Sequence, residues 1–429
     1  MSTIHNDRHA DSYYAASANP APDRAKLEGD VSCDVCVIGA GITGASAALH
    51  LAEQGYNVVV LEGRQVGWGA SGRSGGQAII GYNEGIREVA KMVGSEDASK
   101  LWDMGLESKT LLTQTVEKYN IQCDLKWGHL MMAIKPRQMR ELESAKEEME
   151  TESDYKGLQL LNKAEAYERV GSDKYIGALY DPESGHLHPL NYTLGLAAAA
   201  ESAGAKIYEN SPATHIQEGA EPVITTPNGT VHCKHVIMCA NAYLEKLEPR
   251  IAGKIMPVGT FIIATEPLSD DMAKSLIRDD EGVVDINFVL NYWRLSADKR
   301  MLFGGRVSYS GLVPFDLKTT MGNSMRDIYP QLQGAKIDYA WGGNVAITVN
   351  RMPHFGRVGK NIYFAHGFSG HGILLTGLAG KLMAEAVQGT AERFDVFSRI
   401  PHMSFPGGAL MRKPALVAAM AYFKLRDLL

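Results

Sequence analysis

The sequence predicts an α/β fold in two lobes: a Rossmann-like dinucleotide-binding domain and a mainly antiparallel, α+β domain beside it. Three observations carry this. Residues 34–62 read DVCVIGAGITGASAALHLAEQGYNVVVLE, an apolar run, a glycine turn, an alanine-rich amphipathic segment and a second apolar run. That is strand, turn, helix and strand, a unit of about 30 residues. Near the end, residues 361–387 repeat strand, glycine-rich turn and helix. Between them, residues 253–343 string together strand signals such as FIIATEP, VVDINFVLNYWRLS and MLFGGRVSYSG, with a helix predicted over 319–332.

Taken in order, residues 1–29 form a polar arm in which Pro20 and Pro22 favour extended backbone and Tyr13 and Tyr14 give it something to pack with. The turn Gly39-Ala40-Gly41-Ile42-Thr43-Gly44 is G-x-G-x-x-G. Its first glycine permits the tight turn, its second lets a pyrophosphate approach, and its third lets the helix lie close on the strand. The helix N-terminus then offers unpaired N–H groups to phosphate. Glu62 ends the second strand about 20 residues on, where an acid meets a ribose hydroxyl. Residues 67–77, GWGASGRSGGQ, hold five glycines, which let backbone lie flat against a ligand; Trp68 and Arg73 set the loop apart from a linker.

A helix is predicted over 86–119, a strand over 129–134, and a helix over 136–155 whose EEMETES run is a solvated face. His186 and His188 make an H-x-H pair ahead of a helix over 192–202, with no third ligand nearby. Short strands between 205 and 240 close on an apolar strand ending at Ala240-Asn241-Ala242, the strand end where open α/β sheets bind ligands. The second glycine turn, 366–373, precedes a helix over 374–387. A chain that returns to such a turn implies a long cofactor touched from both ends of the sequence, which favours FAD over NAD. Residues 401–429 read as an amphipathic C-terminal helix that packs on its own domain or meets a membrane surface or a partner.

Composition narrows the classes. The chain has 429 residues, 45% apolar and 21% charged, enough for two globular lobes. A net charge of −6 argues against a nucleic-acid partner. Five scattered cysteines make no disulfide framework. Cys33 and Cys36 sit three apart on a strand, so their side chains are expected on opposite faces. No signal peptide and no run long enough to span a membrane appear, so a cytoplasmic location is expected. Neither a metal site nor a Ser-His-Asp arrangement has convincing spacing.

The motifs GAGITG, GWGASGRSGGQ, DPESGHLHPLNY, NYWRLSADKRMLFGGR and HGFSGHGILLTGLAG together resemble the γ-glutamylputrescine oxidases, FAD enzymes within the glycine/D-amino acid oxidase (DAO) group. The resemblance implies an FAD-binding domain over 30–85, 156–243 and 340–400, interleaved with a substrate-binding domain over 86–155 and 244–339. It implies that Gly39, Ala40, Gly41, Ile42, Thr43 and Gly44 hold the diphosphate, with Glu62, Gly63 and Arg64 at the adenosine ribose. Gly69, Ala70, Ser71, Gly72, Gly76 and Gln77 would line the pyrophosphate and flavin ring, Ala213 the adenine, and Ala240 and Asn241 the ribose side. Gly370, His371, Gly372 and Ile373 would lie against the flavin, their helix N-terminus facing its pyrimidine edge. Three departures stand out. Ser74 replaces the usual asparagine. Leu374 stands where the sarcosine-oxidase branch has a lysine that grips a substrate carboxylate. Residues 341–350 lack the cysteine by which that branch tethers its flavin, so FAD is expected to be non-covalent.

The implied reaction is oxidation of a small amine, with hydride transfer from its α-carbon to flavin N5 and oxygen or a quinone as the final acceptor. Tyr292 and Trp293 are candidates to wall the pocket, and Arg294 and Arg306 to meet a distant glutamyl carboxylate. Two other readings stay open: an oxidase or dehydrogenase of D-amino or N-methyl-amino acids, and a non-catalytic dinucleotide-binding sensor. The exact amine and the oligomeric state are not read from the sequence.

Overall fold

The computed structural model describes residues 8–405 apart from 245, 288 and 309–315. The chain opens with a one-turn helix α1 (Tyr13–Ala16), capped by Ser12 Oγ accepting from the Ala15 N–H at 3.1 Å. Strands β1 (Gly29–Ser32) and β2 (Val35–Ile38), helix α2 (Ile42–Glu53) and strand β3 (Val58–Leu61) follow. Then come β4 (Gln77–Ala78), α3 (Ile86–Val93), α4 (Ser95–Lys118), β5 (Lys126–Ala133), α5 (Pro136–Ser153), β6 (Gln159–Asn162), α6 (Lys163–Arg169) and β7 (Gly177–His186). Helix α7 (Pro189–Ser202) leads into β8 (Lys206–Tyr208), β9 (His215–Gln217), β10 (Val223–Thr226), β11 (Gly229–His232) and β12 (His235–Met238). The next stretch holds α8 (Pro249–Ala252), β13 (Met256–Thr265), α9 (Asp270–Leu276), β14 (Gly282–Asp285), β15 (Tyr292–Leu295), β16 (Met301–Ser308), α10 (Leu317–Ile328) and β17 (Ile337–Ile347). Strands β18 (His354–Val358) and β19 (Ile362–His366) and helices α11 (Gly372–Val387) and α12 (Glu392–Ser398) close the described chain.

Six strands form a central sheet in the order β18-β19-β12-β2-β3-β8, parallel except at β18. Parallel strands covered on both faces need apolar residues throughout, and β2 (VCVI) and β3 (VVVL) are buried at every position. Alternation then sorts their side chains. Val35, Val37, Val58 and Val60 face the core that also holds buried residues of α2, α7 and α11. Cys36, Ile38, Val59 and Leu61 face the other way, toward Ile224 and Val231 of a small sheet ordered β1-β11-β10-β9.

The second large sheet runs β17-β13-β16-β15-β14-β5-β7-β4, with β6 added on β7; its one parallel pairing among the described strands is β14 with β5. Leu130, Met132, Trp293 and Phe303 of this sheet form a separate core with Met321 and Met325 of α10. The fold class is the expected one, a parallel dinucleotide-type layer joined to a mainly antiparallel sheet.

Several local expectations are corrected. The predicted helix over 86–119 is two helices, because Gly94 takes φ +86° and turns the chain. Strands β4, β6 and β7 pair into the large antiparallel sheet, although the expected division places them in the FAD-binding segments. Conversely, Leu101, Trp102 and Leu112 of α4, expected in the substrate lobe, are buried in the core shared with α2 and α11. Cys33 and Cys36 share one core, not opposite faces, because the chain turns between β1 and β2 and Cys33 precedes the strand. Tyr13 and Tyr14 of α1 are buried, so this turn of the N-terminal arm packs into the fold. The predicted C-terminal helix lies outside the described residues beyond 405. Among the described residues, no helix is long and apolar enough to cross a membrane.

Candidate functional site

The two glycine turns converge on one cavity of about 1480 Å³. Ordinary small-molecule sites measure about 300–1,000 Å³, so this one has room for a dinucleotide and a substrate together. Helix α2 presents Gly41, Ile42 and Thr43 to it, and α11 presents Gly370, His371, Gly372 and Ile373. Both helices thus aim N-terminal N–H groups at the same space, where a phosphate or a developing negative charge is stabilised.

The first turn is held by its own side chains. Gly39 takes φ +101°, and a Cβ on Gly41 would stand 2.7 Å from Ser71 Oγ, which itself accepts the Ile42 N–H at 3.0 Å. Glu62 accepts from the N–H groups of Ala40 and Arg64, each at 2.8 Å, one on each carboxylate oxygen. Each oxygen keeps a lone pair for a ribose hydroxyl. Burial pushes the Glu62 carboxyl above its ordinary range, against the pull of those two N–H groups.

Most residues expected at the cofactor line this cavity: Gly39, Gly41, Ile42, Thr43, Glu62, Gly63 and Arg64; Gly69, Ala70, Ser71, Gly76 and Gln77; Ala213, Ala240, Asn241, Gly370, His371, Gly372 and Ile373. Ala40, Gly44 and Gly72 stand behind the wall. Gly44 and Gly72 are there to let backbone pass, since a Cβ on them would meet Gly39 O at 1.8 Å and Gly67 O at 2.2 Å. Gln77 acts as a cross-link: Nε2 donates to Val283 O at 2.8 Å, which leaves Oε1 to accept from His129 Nε2 at 3.3 Å. Ser74 lines the cavity, and its buried Oγ has no partner among the described residues, which suits it to a ligand's polar atom. Residues present therefore suit a bound dinucleotide.

The substrate candidates separate. Tyr292 lines the cavity, its ring wedged where a Cβ on Gly75 would stand 2.6 Å away and one on Gly304 2.0 Å away. Burial pushes its phenol upward, so it is neutral. Trp293 does not reach the cavity. The strand alternation of β15 turns it into the second core, stacked on Tyr175 and Phe303, with Nε1 donating to Tyr329 Oη at 2.9 Å. Arg294 is also withdrawn: it donates to Gly75 O, Leu295 O and Leu187 O, each at 2.9 Å, and to Tyr14 Oη at 3.1 Å. It locks the N-terminal arm to the glycine loop. Arg306 belongs to β16, and its side chain lies outside the description.

Other residues complete the cavity that sequence reasoning passed over: Glu84, Trp102, His129, Met131, Asp285 and Arg351. Alternation along β5 places His129 and Met131 on the cavity side, while Leu130 and Met132 enter the second core. His129 and His371 are each pushed down to about 4, His129 chiefly by burial and His371 by burial and then the Arg351 charge, so both imidazoles are neutral at pH 7. His186 and His188 part company: His186 Nε2 meets Asp280 O at 2.6 Å, while His188 Nδ1 accepts the Asn191 N–H at 3.1 Å.

Comparison with known proteins gives a consistent picture. The model of a family described as FAD dependent oxidoreductase matches residues 34–386. A gamma-glutamylputrescine oxidoreductase of Escherichia coli is 45% identical, over 98% of this chain and 98% of its own length. A probable oxidoreductase of Haemophilus influenzae is 45% identical, over 98% of this chain and 97% of its own. Among solved structures, glycine oxidase from Geobacillus kaustophilus superposes with a TM-score of 0.74 at 23% identity, covering 87% of this chain and all of that one.

Proposed function

The chain belongs to the DAO family of FAD-dependent oxidoreductases, and within it we propose that it oxidises the terminal amine of γ-glutamylputrescine or a closely related polyamine derivative. The observation that carries this reading is the 45% identity, over nearly all of both chains, to a gamma-glutamylputrescine oxidoreductase. The cavity supports it, since one space is lined by both glycine turns, by Tyr292 and by the charged side chains of Glu84 and Arg351.

FAD, when bound, supplies the acceptor for a hydride from the carbon next to the amine. The chain's own residues set the conditions. Glu62 and the turns 39–44 and 367–373 would hold the cofactor, without a covalent bond. The neutral His129 and His371 and the apolar Met131 and Trp102 add no charge of their own to this part of the cavity, and the loss of hydration on entry favours the amine in its uncharged form. The α11 N-terminus stabilises negative charge that grows beside it. The substrate's CH–NH₂ unit loses a hydride and a proton and becomes an imine, and water then releases aldehyde and ammonia. Electrons pass to oxygen or a quinone, and the reaction belongs to polyamine catabolism in the cytoplasm.

A D-amino-acid or N-methyl-amino-acid substrate is disfavoured by Leu374. It is 1% exposed and packed in the core, and does not serve as a carboxylate grip. The test is a panel of γ-glutamylputrescine, putrescine, sarcosine and D-alanine on the purified yellow protein. Flavin bleaching in anaerobic solution and peroxide formation in air are the readouts. Bleaching by γ-glutamylputrescine at the lowest concentration is expected; bleaching by sarcosine or D-alanine alone overturns the reading.

A further inference from the structure

Asn83 joins two walls of the cavity. It lies in the segment 79–86 between β4 and α3, which lines the cavity along its whole length. Three bonds pin that segment. The Ile80 N–H donates to Ser184 Oγ at 3.0 Å, Tyr82 Oη to Leu101 O at 2.6 Å, and the Arg87 N–H just beyond it to Glu148 Oε1 at 2.9 Å. From this fixed base Asn83 Nδ2 donates to the carbonyl oxygen of Ser369, in the second glycine turn.

Ser369 is tied at each of its polar atoms. Its N–H donates to Ala346 O at 3.0 Å, and its Oγ accepts the Thr348 N–H at 3.2 Å and donates to Gly367 O at 3.1 Å. These bonds and the one from Asn83 hold it at φ +52°, a left-handed backbone that side chains disfavour. Gly370 follows at φ +99°, a conformation open to glycine. The peptide between them is trans, so its C=O and N–H point in opposite directions. Asn83 takes the carbonyl, which fixes the Gly370 N–H on the other side. A neighbouring glycine lets such a unit turn over readily, and turning it over would put a carbonyl where the N–H stands. Helix α11 starts two residues on, and no side chain among the described residues caps it. The direction of this one peptide therefore decides whether the turn opens on a donor or on an acceptor.

We propose that Asn83 is a positioning residue for the flavin: by holding the Ser369 carbonyl it keeps that peptide from turning over, so that the turn meets the flavin with N–H groups and raises its reduction potential. This rests on the reading that sets residues 370–373 against the flavin. Reduction places negative charge on the pyrimidine edge of the ring, which fixed donors stabilise and a carbonyl dipole opposes. Asn83 acts through Ser369 and needs no contact with the cofactor. It also makes the segment 79–86 a support for the flavin turn and not only a wall of the substrate space.

The test uses the FAD-loaded enzyme and two readouts that need no amine: the midpoint potential of the flavin, and its affinity for sulfite, which adds to oxidised flavin and leaves negative charge on the same edge. Wild type is expected to bind sulfite at least about tenfold more tightly than unbound FAD does. Equal affinity overturns the placement of the turn against the flavin, and the proposal with it. Asn83→Leu keeps the size of the side chain and removes the donor. It is expected to weaken sulfite binding by about tenfold and to lower the potential by about 30 mV, the equivalent for a two-electron couple. Asn83→Gln, which keeps the amide, should recover part of both. Tight sulfite binding in wild type with no change in Asn83→Leu overturns the role of Asn83 alone and leaves the placement standing. Should Asn83→Leu lose its flavin, Ser369→Gly decides. It frees the same peptide from Thr348 while tolerating the positive φ, so the same two falls are expected, and unchanged values overturn the proposal.

Discussion

The Ser46 hydroxyl donates to the Gly377 carbonyl at 2.7 Å, joining α2 to α11 across 331 positions of sequence. Three residues further along α11, Gly380 lies directly on α2: a Cβ there would stand 2.5 Å from Thr43 O and 2.6 Å from Ala47 N. The two helices touch backbone to backbone. That contact is what points both glycine turns at one cavity.

Gly380→Ala must push the helices apart, since the atoms in the way are main chain. Overpacking of this kind costs about 1–3 kcal/mol. A lower melting temperature and weaker FAD retention are expected together. An unchanged melting curve would show that the contact is looser than described.

Glu62→Ala removes an acceptor from two backbone N–H groups and, on the proposed placement of the cofactor, from its ribose. The affinity for FAD should fall about 10- to 100-fold, the worth of a charged hydrogen bond. Titration of the apoprotein by flavin fluorescence measures it, and Glu62→Gln should recover part of the loss.

Tyr292 and Trp293 are neighbours in sequence with opposite expectations. Tyr292→Ala opens the cavity wall and should lower kcat/KM by about tenfold or more. Trp293→Ala empties a fully buried site and should cost about 3–5 kcal/mol of stability. Trp293→Phe, which keeps the stacking and loses the Tyr329 bond, should leave KM unchanged. A raised KM in that variant would return Trp293 to the site.

Acid should unfold the protein through its histidines. His354 Nδ1 lies 2.8 Å from His366 Nε2, and the His402 ring packs on His354. Burial first, then mutual repulsion, pushes His354 down to about 2; burial pushes His366 down to about 3 and His402 to about 4. Below pH 6.5 the unfolded chain takes protons that the folded one refuses, so stability is full above 6.5 and drains away toward pH 4. Melting temperatures across that window check it. His354→Gln should flatten the dependence, and a slope of the opposite sign would contradict the assignment.

How legible this was depended on range. The α2 turn could be read because glycine spacing, a flanking strand and a later acid are all local to 34–62. Trp293 was misplaced because neighbours in a strand face opposite ways, so an error of one residue reverses the assignment. Arg294 is on the expected face but is captured by Tyr14, 280 positions earlier, which no local pattern announces. Glu84 and Arg351 are single charges in connecting segments, and only the folded chain brings them to one cavity.

The central sheet also dictates the timing of assembly on the ribosome. Strand β2 has β3 close at hand, but its other edge waits for β12, and β12 in turn for β19, whose pairing begins at Ile362. The last wall of the cavity, Gly370 to Ile373, emerges later still. A nascent chain halted before that point exposes the first turn without its opposing helix. Capture of the coenzyme is therefore an event of the finished polypeptide, and a product cut short before α11 is expected to be colourless and prone to proteolysis.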